Sequence, residues 1–331
     1  KIVFTNPESF KLYDEPVPGF VERLRKTVKT DCEIVYPKTS SEEELIELAK
    51  DADIIVRGMG SSVPQKVLDA AYKVKLIQTT GAGVEKMPFA FLKKRGIFLS
   101  NTSGANAVAV AEHAFALILV IAKKVITRHL KLKQGIWDRI RSTQLLGKTL
   151  GIVGLGDIGI EIAKRARAFG MFVIATKRHP SSDLAKKLDL KFLGGPNDLY
   201  KLLEISDFLV LSVPSTPETD GLIGEKELRL MKSTAFIINV ARGNVIQEDA
   251  LYKALTEKWI AGAGIDTWWD FDPQTPSKLG VHKLDNVVIT SHVGGSTIEF
   301  INNVIIVLAE NIERISRNEI PLNVVDLNYR Y

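Results

Sequence analysis

Six residues, Gly154-Leu155-Gly156-Asp157-Ile158-Gly159, form a G-x-G-x-x-G run between the apolar stretch TLGIVG and the amphipathic stretch IGIEIAKRARAFG. Strand, glycine turn and helix in that order suit a dinucleotide. The first glycine permits the tight turn, the second lets a pyrophosphate approach the backbone, and the third lets the helix pack on the strand. The helix N-terminus then faces the phosphates. The next apolar run, FVIAT, ends where an acidic residue would bind an adenosine ribose, but Lys177, Arg178 and His179 follow it. A carboxylate there repels a 2′-phosphate, whereas a lysine–arginine pair offers it charge-assisted hydrogen bonds, so NADP(H) is favoured over NAD(H). Two further residues close apolar runs: Arg242 ends AFIINVAR and His292 ends NVVITSH. An arginine offers a carboxylate a planar fork of donors, and a histidine exchanges protons near neutrality. On residue type alone, Arg242 could instead cap the following helix or pair with Asp249, and His292 could be a structural histidine.

These residues need a frame that brings strand ends together. In the first hundred residues the runs KIVF, EIVY, DIIVR, KLIQTT and GIFLS alternate with amphipathic stretches such as SEEELIELAK, which has capping-box spacing from Ser41 to Glu44. Strands alternating with helices imply a parallel sheet. From Leu150 the alternation restarts with longer apolar strands, which read as covered on both faces. The expected fold is α/β: a Rossmann-type doubly wound sheet and a second, flavodoxin-like α/β unit. An amphipathic segment from Thr297 to Ser316 is expected to return to the first unit, giving domains of 1–100 with 296–331, and 101–295.

The 331 residues suit two domains, and 45% hydrophobic with 25% charged residues is ordinary globular composition. A single cysteine, Cys32, cannot form an internal disulfide, and no Cys/His set has zinc spacing, so no metal is expected. The formal charge of +5 is spread without a basic run, which argues against a nucleic-acid partner. The most apolar stretch, Ala107 to Ala122, is short for a membrane span and carries Glu112 and His113, so it reads as a buried helix. The N-terminus lacks the apolar region of a signal peptide, and a cytoplasmic location is expected.

Five ordered segments add a resemblance. TTGAGVEKM (Thr79 to Met87), GANAVAVAEHA (Gly104 to Ala114), INVARGNVIQEDAL (Ile238 to Leu251), GAGIDTWWDFDP (Gly262 to Pro273) and ITSHVGGST (Ile289 to Thr297) resemble the D-isomer-specific 2-hydroxyacid dehydrogenase family. The likeness covers most of the chain. It implies hydride transfer between a nicotinamide and a small 2-oxo or 2-hydroxy acid, and a substrate domain built from both chain ends. Arg242 then holds the substrate carboxylate, His292 is the acid/base, and the amides of Ala82 and Gly83 form a carboxylate-binding loop. Val213, Pro214, Thr219, Val240, Ala241 and Asp266 fall at cofactor-lining positions, and Gly294 and Gly295 let the loop after His292 approach the nicotinamide. Glu112 and His113 read as packing and interdomain residues, Trp137 as part of an arm joining two subunits in a homodimer, and Trp268 and Trp269 as either walls of the site mouth or core aromatics. Where the family has a glutamate partner for the histidine, this chain has Asp272, one residue further from Asp266, with Asp270 as a competitor.

The resemblance favours reduction of glyoxylate or hydroxypyruvate. Arg57, at the end of DIIVR, keeps 3-phosphoglycerate oxidation as an alternative because an arginine there could bind a phosphate. A nucleotide-sensing corepressor on the same fold is the reading from another class.

Overall fold

The computed structural model describes residues 1–5, 17–39, 41–58, 61–84, 86–270 and 276–328, so Asp272 lies outside the described residues. Short β-branched runs become strands whose crossover helices leave neighbours parallel. The first half of the chain runs β1 (Ile2–Phe4), α1 (Val17–Thr27), β2 (Ile34–Val35), α2 (Glu42–Ala49), β3 (Ile54–Arg57), α3 (Gln65–Ala70), β4 (Leu76–Thr79), α4 (Phe89–Arg95) and β5 (Phe98–Ser100). Their sheet order is β2-β1-β3-β4-β5, all parallel, which is the flavodoxin-like order. Ser41 caps α2 by accepting from the Glu44 amide. Glu44 does not return the bond to Ser41; its carboxylate accepts from the amides of Lys38 and Thr39, so half of the expected box is redirected one turn upstream.

The second sheet follows: α5 (Ala107–Lys123), α6 (Val125–Lys133), β6 (Thr149–Val153), α7 (Asp157–Ala168), β7 (Phe172–Thr176), α8 (Ser182–Lys187), β8 (Phe192–Gly194), α9 (Leu199–Ile205), β9 (Phe208–Leu211), α10 (Glu225–Leu230), β10 (Phe236–Asn239), α11 (Glu248–Thr256), β11 (Gly262–Ile265) and β12 (Val287–Ile289). Its order is β12-β11-β10-β9-β6-β7-β8, so the strand order reverses between β6 and β9. Ligands of open α/β sheets bind outside the carboxyl ends of the strands at such a switch point. Register aligns those ends: Val153 pairs with Leu211, Leu211 with Asn239, Asn239 with Ile265, and Ile265 with Ile289. Residues 154, 212, 240, 266 and 290 are therefore the first beyond five neighbouring strands. Each face of this sheet is covered by its own apolar cluster.

The chain divides into one unit of Lys1–Asn106 with Ser296–Tyr331 and another of Ala107–Gly295, so the first crossing falls at 106/107, where the sequence alternation alone places it near residue 100. The last helix, α12 (Ile298–Ser316), returns to the first unit, and Thr297 caps it by accepting from the Phe300 amide. Buried Asn311 on α12 donates to Gln78 Oε1 and Ser100 Oγ at 2.7 and 3.0 Å and accepts from the Leu322 amide, pinning the helix to the first sheet.

Candidate active site

The glycine loop uses each glycine differently. Gly154 has φ +98°, and a Cβ there would lie 2.7 Å from Val213 Cγ1. A Cβ at Gly159 would lie 2.4 Å from the Gly154 carbonyl oxygen, so that glycine permits the contact between α7 and the loop. A Cβ at Gly156 would meet nothing within 4 Å. That open space at the start of α7, where first-turn N–H groups lack helical partners, fits the phosphates of a dinucleotide. The amides of Gly154 and Leu155 both donate to the Thr176 carbonyl, and Ser212 Oγ donates to the Gly154 carbonyl at 2.7 Å. Asp157 and Ile158 begin α7.

Lys177 follows β7 as expected, but its ammonium donates to the Leu155 carbonyl at 2.9 Å, bracing the glycine loop. Arg178 is exposed beside it. Beyond β9, Val213 packs on Gly154, and Thr219 Oγ1 donates to the Pro214 carbonyl at 2.6 Å while accepting from the Thr216 amide. Thr219 thus shapes this loop through its hydroxyl.

Arg242 stands on a turn built by a residue the sequence reading passed over. Asn239, wholly buried at the end of β10, accepts from the Ala241 amide and donates to the Arg242 carbonyl at 3.0 and 2.9 Å. Val240 and Ala241, within the turn, are buried. The half-buried Arg242 side chain donates from Nη1 to the Ala241 carbonyl. A Cβ at Gly243 would lie 2.1 Å from the Trp268 carbonyl oxygen, so the Arg242 turn lies against the segment leaving β11.

The His292 loop is held from several sides. His292 itself has φ +58°, a left-handed backbone that is uncommon outside glycine and that persists where the surroundings enforce it. Asp266, buried after β11, accepts from Thr290 Oγ1 at 2.6 Å and from the amides of Val293 and Gly294 at 3.0 Å each. His113 Nε2 lies 2.9 Å from Thr290 Oγ1 and 3.3 Å from Asp266 Oδ1. Burial alone would raise the pKa of Asp266, but the hydrogen bonds from His113, Thr290 and the two amides hold it well below the usual carboxylate range. Both its oxygens serve the loop, so Asp266 stands at the expected edge as the anchor of the His292 segment. A Cβ at Gly294 would lie 2.9 Å from Asp266 Oδ2 and 3.2 Å from His113 Cδ2, which makes this glycine a packing requirement. Gly295 follows it as the last residue of the unit.

His292 reaches solvent, yet the protein crowding around it, and then the Arg242 charge, push its pKa below the ordinary value against the pull of Asp266. The Arg242 charge therefore bears on His292. Asp270 is exposed, with its backbone amide on the Pro276 carbonyl. Trp268 is a core residue whose Nε1 donates to the Thr290 carbonyl at 2.8 Å, and Trp269 donates to the Ile246 carbonyl. Among the described residues no cluster of His, Cys, Asp or Glu could hold a metal.

In the first unit, the loop after β4 has its carbonyls taken from behind. Thr79 Oγ1 donates to the Gly81 carbonyl, Asn101 Nδ2 to the Ala82 carbonyl and Arg57 Nη2 to the Gly83 carbonyl, at 2.6, 3.1 and 2.8 Å. In a trans peptide the N–H points opposite to the C=O. The amides of Ala82 and Gly83 are therefore directed away from Thr79 and Asn101. Arg57 is almost wholly buried, and its other Nη contacts the Ser61 carbonyl, so its fork braces backbone.

A switch-point glycine loop, with an arginine after β10 and a histidine after β12 at the same edge of the sheet, defines a nicotinamide-dependent α/β oxidoreductase. The family described as D-isomer specific 2-hydroxyacid dehydrogenase, NAD binding domain, matches residues 115–294. The chain is 37% identical over 289 residues to a D-3-phosphoglycerate dehydrogenase of Methanocaldococcus jannaschii, covering 87% of this chain and 54% of that protein. It is 36% identical to a glyoxylate reductase of Korarchaeum cryptofilum over 86% of each chain. In structure it is similar to an NADPH-dependent glyoxylate/hydroxypyruvate reductase of Sinorhizobium meliloti in complex with NADP and malonate, at TM-score 0.78 and 26% identity over 99% and 97% of the two chains. The chain belongs to the D-isomer-specific 2-hydroxyacid dehydrogenase family.

Proposed function

We propose that the protein reduces a small 2-oxo acid, glyoxylate or hydroxypyruvate, with NADPH. The carrying observation is that Arg242 and His292 stand at strand ends on the edge that bears the glycine loop, close enough for the arginine charge to bear on the histidine. The bound nicotinamide supplies the hydride. Arg242 grips the substrate carboxylate and polarises the carbonyl, as a planar cation does for a developing alkoxide. His292, as imidazolium, donates the proton to the carbonyl oxygen, and its loop is fixed by Asp266 so that the ring meets the substrate in one orientation. The amides of Ala82 and Gly83 take the carboxylate in this reading, and Asp272 retains the family's place as the histidine's carboxylate partner. The unit of Ala107–Gly295 is the nucleotide-binding domain and the other the substrate domain.

The NADPH preference rests on Arg178, exposed after β7, with Lys177 holding the loop beneath it, and is in keeping with the NADPH-dependent relative. The 37% likeness to a D-3-phosphoglycerate dehydrogenase supports a second reading, oxidation of 3-phosphoglycerate. The engagement of Arg57 with backbone carbonyls does not favour it. A homodimer is proposed through the segment around α6, where Ile126, Leu130, Leu132, Ile136 and Trp137 are exposed and no residue of α6 is buried. No helix among the described residues is long and apolar enough to cross a membrane, and a cytoplasmic enzyme without nucleic-acid partners completes the proposal.

The test follows NADPH and NADH consumption with glyoxylate, hydroxypyruvate and pyruvate, and NAD(P) reduction with 3-phosphoglycerate. Turnover with glyoxylate or hydroxypyruvate, faster with NADPH, is expected. Turnover confined to 3-phosphoglycerate selects the second reading. Nucleotide binding without turnover of any acid points to a sensing protein.

A further inference from the structure

One histidine outside the reacting set is placed by a pattern that runs through two elements. On α5, His113, Leu117 and Ile121 are four residues apart, and on β11 and its end Gly262, Gly264 and Asp266 are two apart. A Cβ at Gly262 would lie 3.2 Å from Ile121 Cδ1, and one at Gly264 3.1 Å from Leu117 Cβ, so the missing side chains let α5 lie on the strand. Four helical residues rise about 6 Å and two strand residues about 6.6 Å, so the ladders stay in step. The next rung sets His113 over Asp266, where the contact is polar.

The bonding there has one arrangement. Thr290 has a single hydroxyl proton, which it donates to Asp266 Oδ1 at 2.6 Å, so towards His113 it is the acceptor. His113 Nε2 therefore carries a proton and donates it to Thr290, with Asp266 Oδ1 also near at 3.3 Å. With the Val293 and Gly294 amides, the Asp266 carboxylate then faces four donors, about the number its lone pairs accept. Thr290 lies two residues before the left-handed His292, and Val293 and Gly294 directly follow it.

We propose that His113 is a positioning residue for the acid/base histidine: by donating to Thr290 and Asp266 it completes the clamp on both flanks of His292 and fixes where that ring stands. The inference rests on the role of His292 proposed above. His113 touches neither cofactor nor substrate in this assignment. Its effect passes through the loop.

The test uses His113→Phe, which fills the space without a donor, His113→Gln, which returns an N–H near the Nε2 position, and Thr290→Val, which removes the bridging hydroxyl. In the cofactor-free protein, His113→Phe and Thr290→Val should each speed amide hydrogen exchange of Val293 and Gly294 by about tenfold or more. With NADPH and glyoxylate each should lower kcat by about 10- to 100-fold, as small displacements of a reacting group do, with KM and the cofactor Kd within about threefold. Combining them should cost little beyond either alone, because both remove one linkage. His113→Gln should recover most of both readouts. Unchanged exchange and unchanged kcat in His113→Phe overturn the proposal. So does a loss matched in cofactor Kd and melting temperature that glutamine does not rescue, the mark of a merely structural residue. Full activity in His292→Ala would sink the role of His292, whereas the exchange measurement would still report on the clamp.

Discussion

The loop after β6 and the loop after β12 stand at the same edge of one parallel sheet and are made in opposite ways. The first is built from backbone: a positive φ at Gly154, open space at Gly156 and helix contact at Gly159, all within six residues. The second is built from side chains that converge from three segments, Asp266 after β11, His113 on α5 and Thr290 beside β12. The difference follows from the tasks proposed for the two loops. A phosphate-binding turn needs the chain to come close to a ligand, which missing side chains allow. A proton donor must hold one ring in one place, which takes packing and hydrogen bonds on several sides.

Four substitutions sharpen the contrast, taken from the largest effect down. His292→Ala should lower reductive kcat/KM by about 10²- to 10⁴-fold, the usual weight of a general acid, with cofactor Kd nearly unchanged in titration by fluorescence. Loss of cofactor binding in step with turnover would mean that the two loops are not separable. Asp266→Asn removes the buried charge that its donors converge on and should destabilise the protein by about 3 kcal/mol at neutral pH in denaturant unfolding. Since Asp266 has a depressed folded pKa, its contribution is fully present above the unfolded aspartate value near pH 4 and is lost as pH falls towards the folded one. Wild type and variant should therefore converge in acid; a gap that persists undiminished there would count against the charge as its source.

The glycine pair gives the smallest effects and the cleanest split. Gly159→Ala places a methyl against the Gly154 carbonyl and should cost about 1 to 3 kcal/mol as overpacking, visible as a lowered melting temperature. Gly156→Ala enters open space, so melting should be nearly unchanged while cofactor Kd rises by about tenfold, because the methyl stands where a phosphate approaches. Equal melting losses in both would show that Gly156 is also a packing glycine.

The same contrast explains what could be read from the chain. Strand–glycine–helix at residues 149–168 is contiguous, so the cofactor loop, its strand and the parallel sheet were legible, and Arg242 and His292 were legible as strand-end residues. Asn239 was not, because its partners are the backbone of its own turn, and a polar residue closing an apolar run has no distinctive spacing. His113 read as a packing and interdomain residue inside an apolar helix, whereas its polar contacts, Thr290 and Asp266, lie in its own unit. Its signal was the four-residue step of α5 set against the two-residue glycine step of β11, visible only once the helix is known to lie on that strand. Lys177 was placed correctly after β7, but the direction of its ammonium, back to Leu155, depends on a carbonyl that sequence does not orient.

The central claim is that Arg242 and His292 form one electrostatic unit at the strand ends. Its most direct measurement is the NMR titration of the His292 C2 proton in the cofactor-free protein, assigned by its loss in His292→Ala, for wild type and for Arg242→Gln. Desolvation and then the arginine charge lower the histidine pKa, so the wild-type midpoint should lie below the ordinary 6.5 and rise in Arg242→Gln. Reductive kcat/KM, which needs the imidazolium, should fall as pH rises through that midpoint, and the oxidative direction should rise through it. A wild-type midpoint at or above the ordinary value, unmoved by loss of Arg242, would contradict the account.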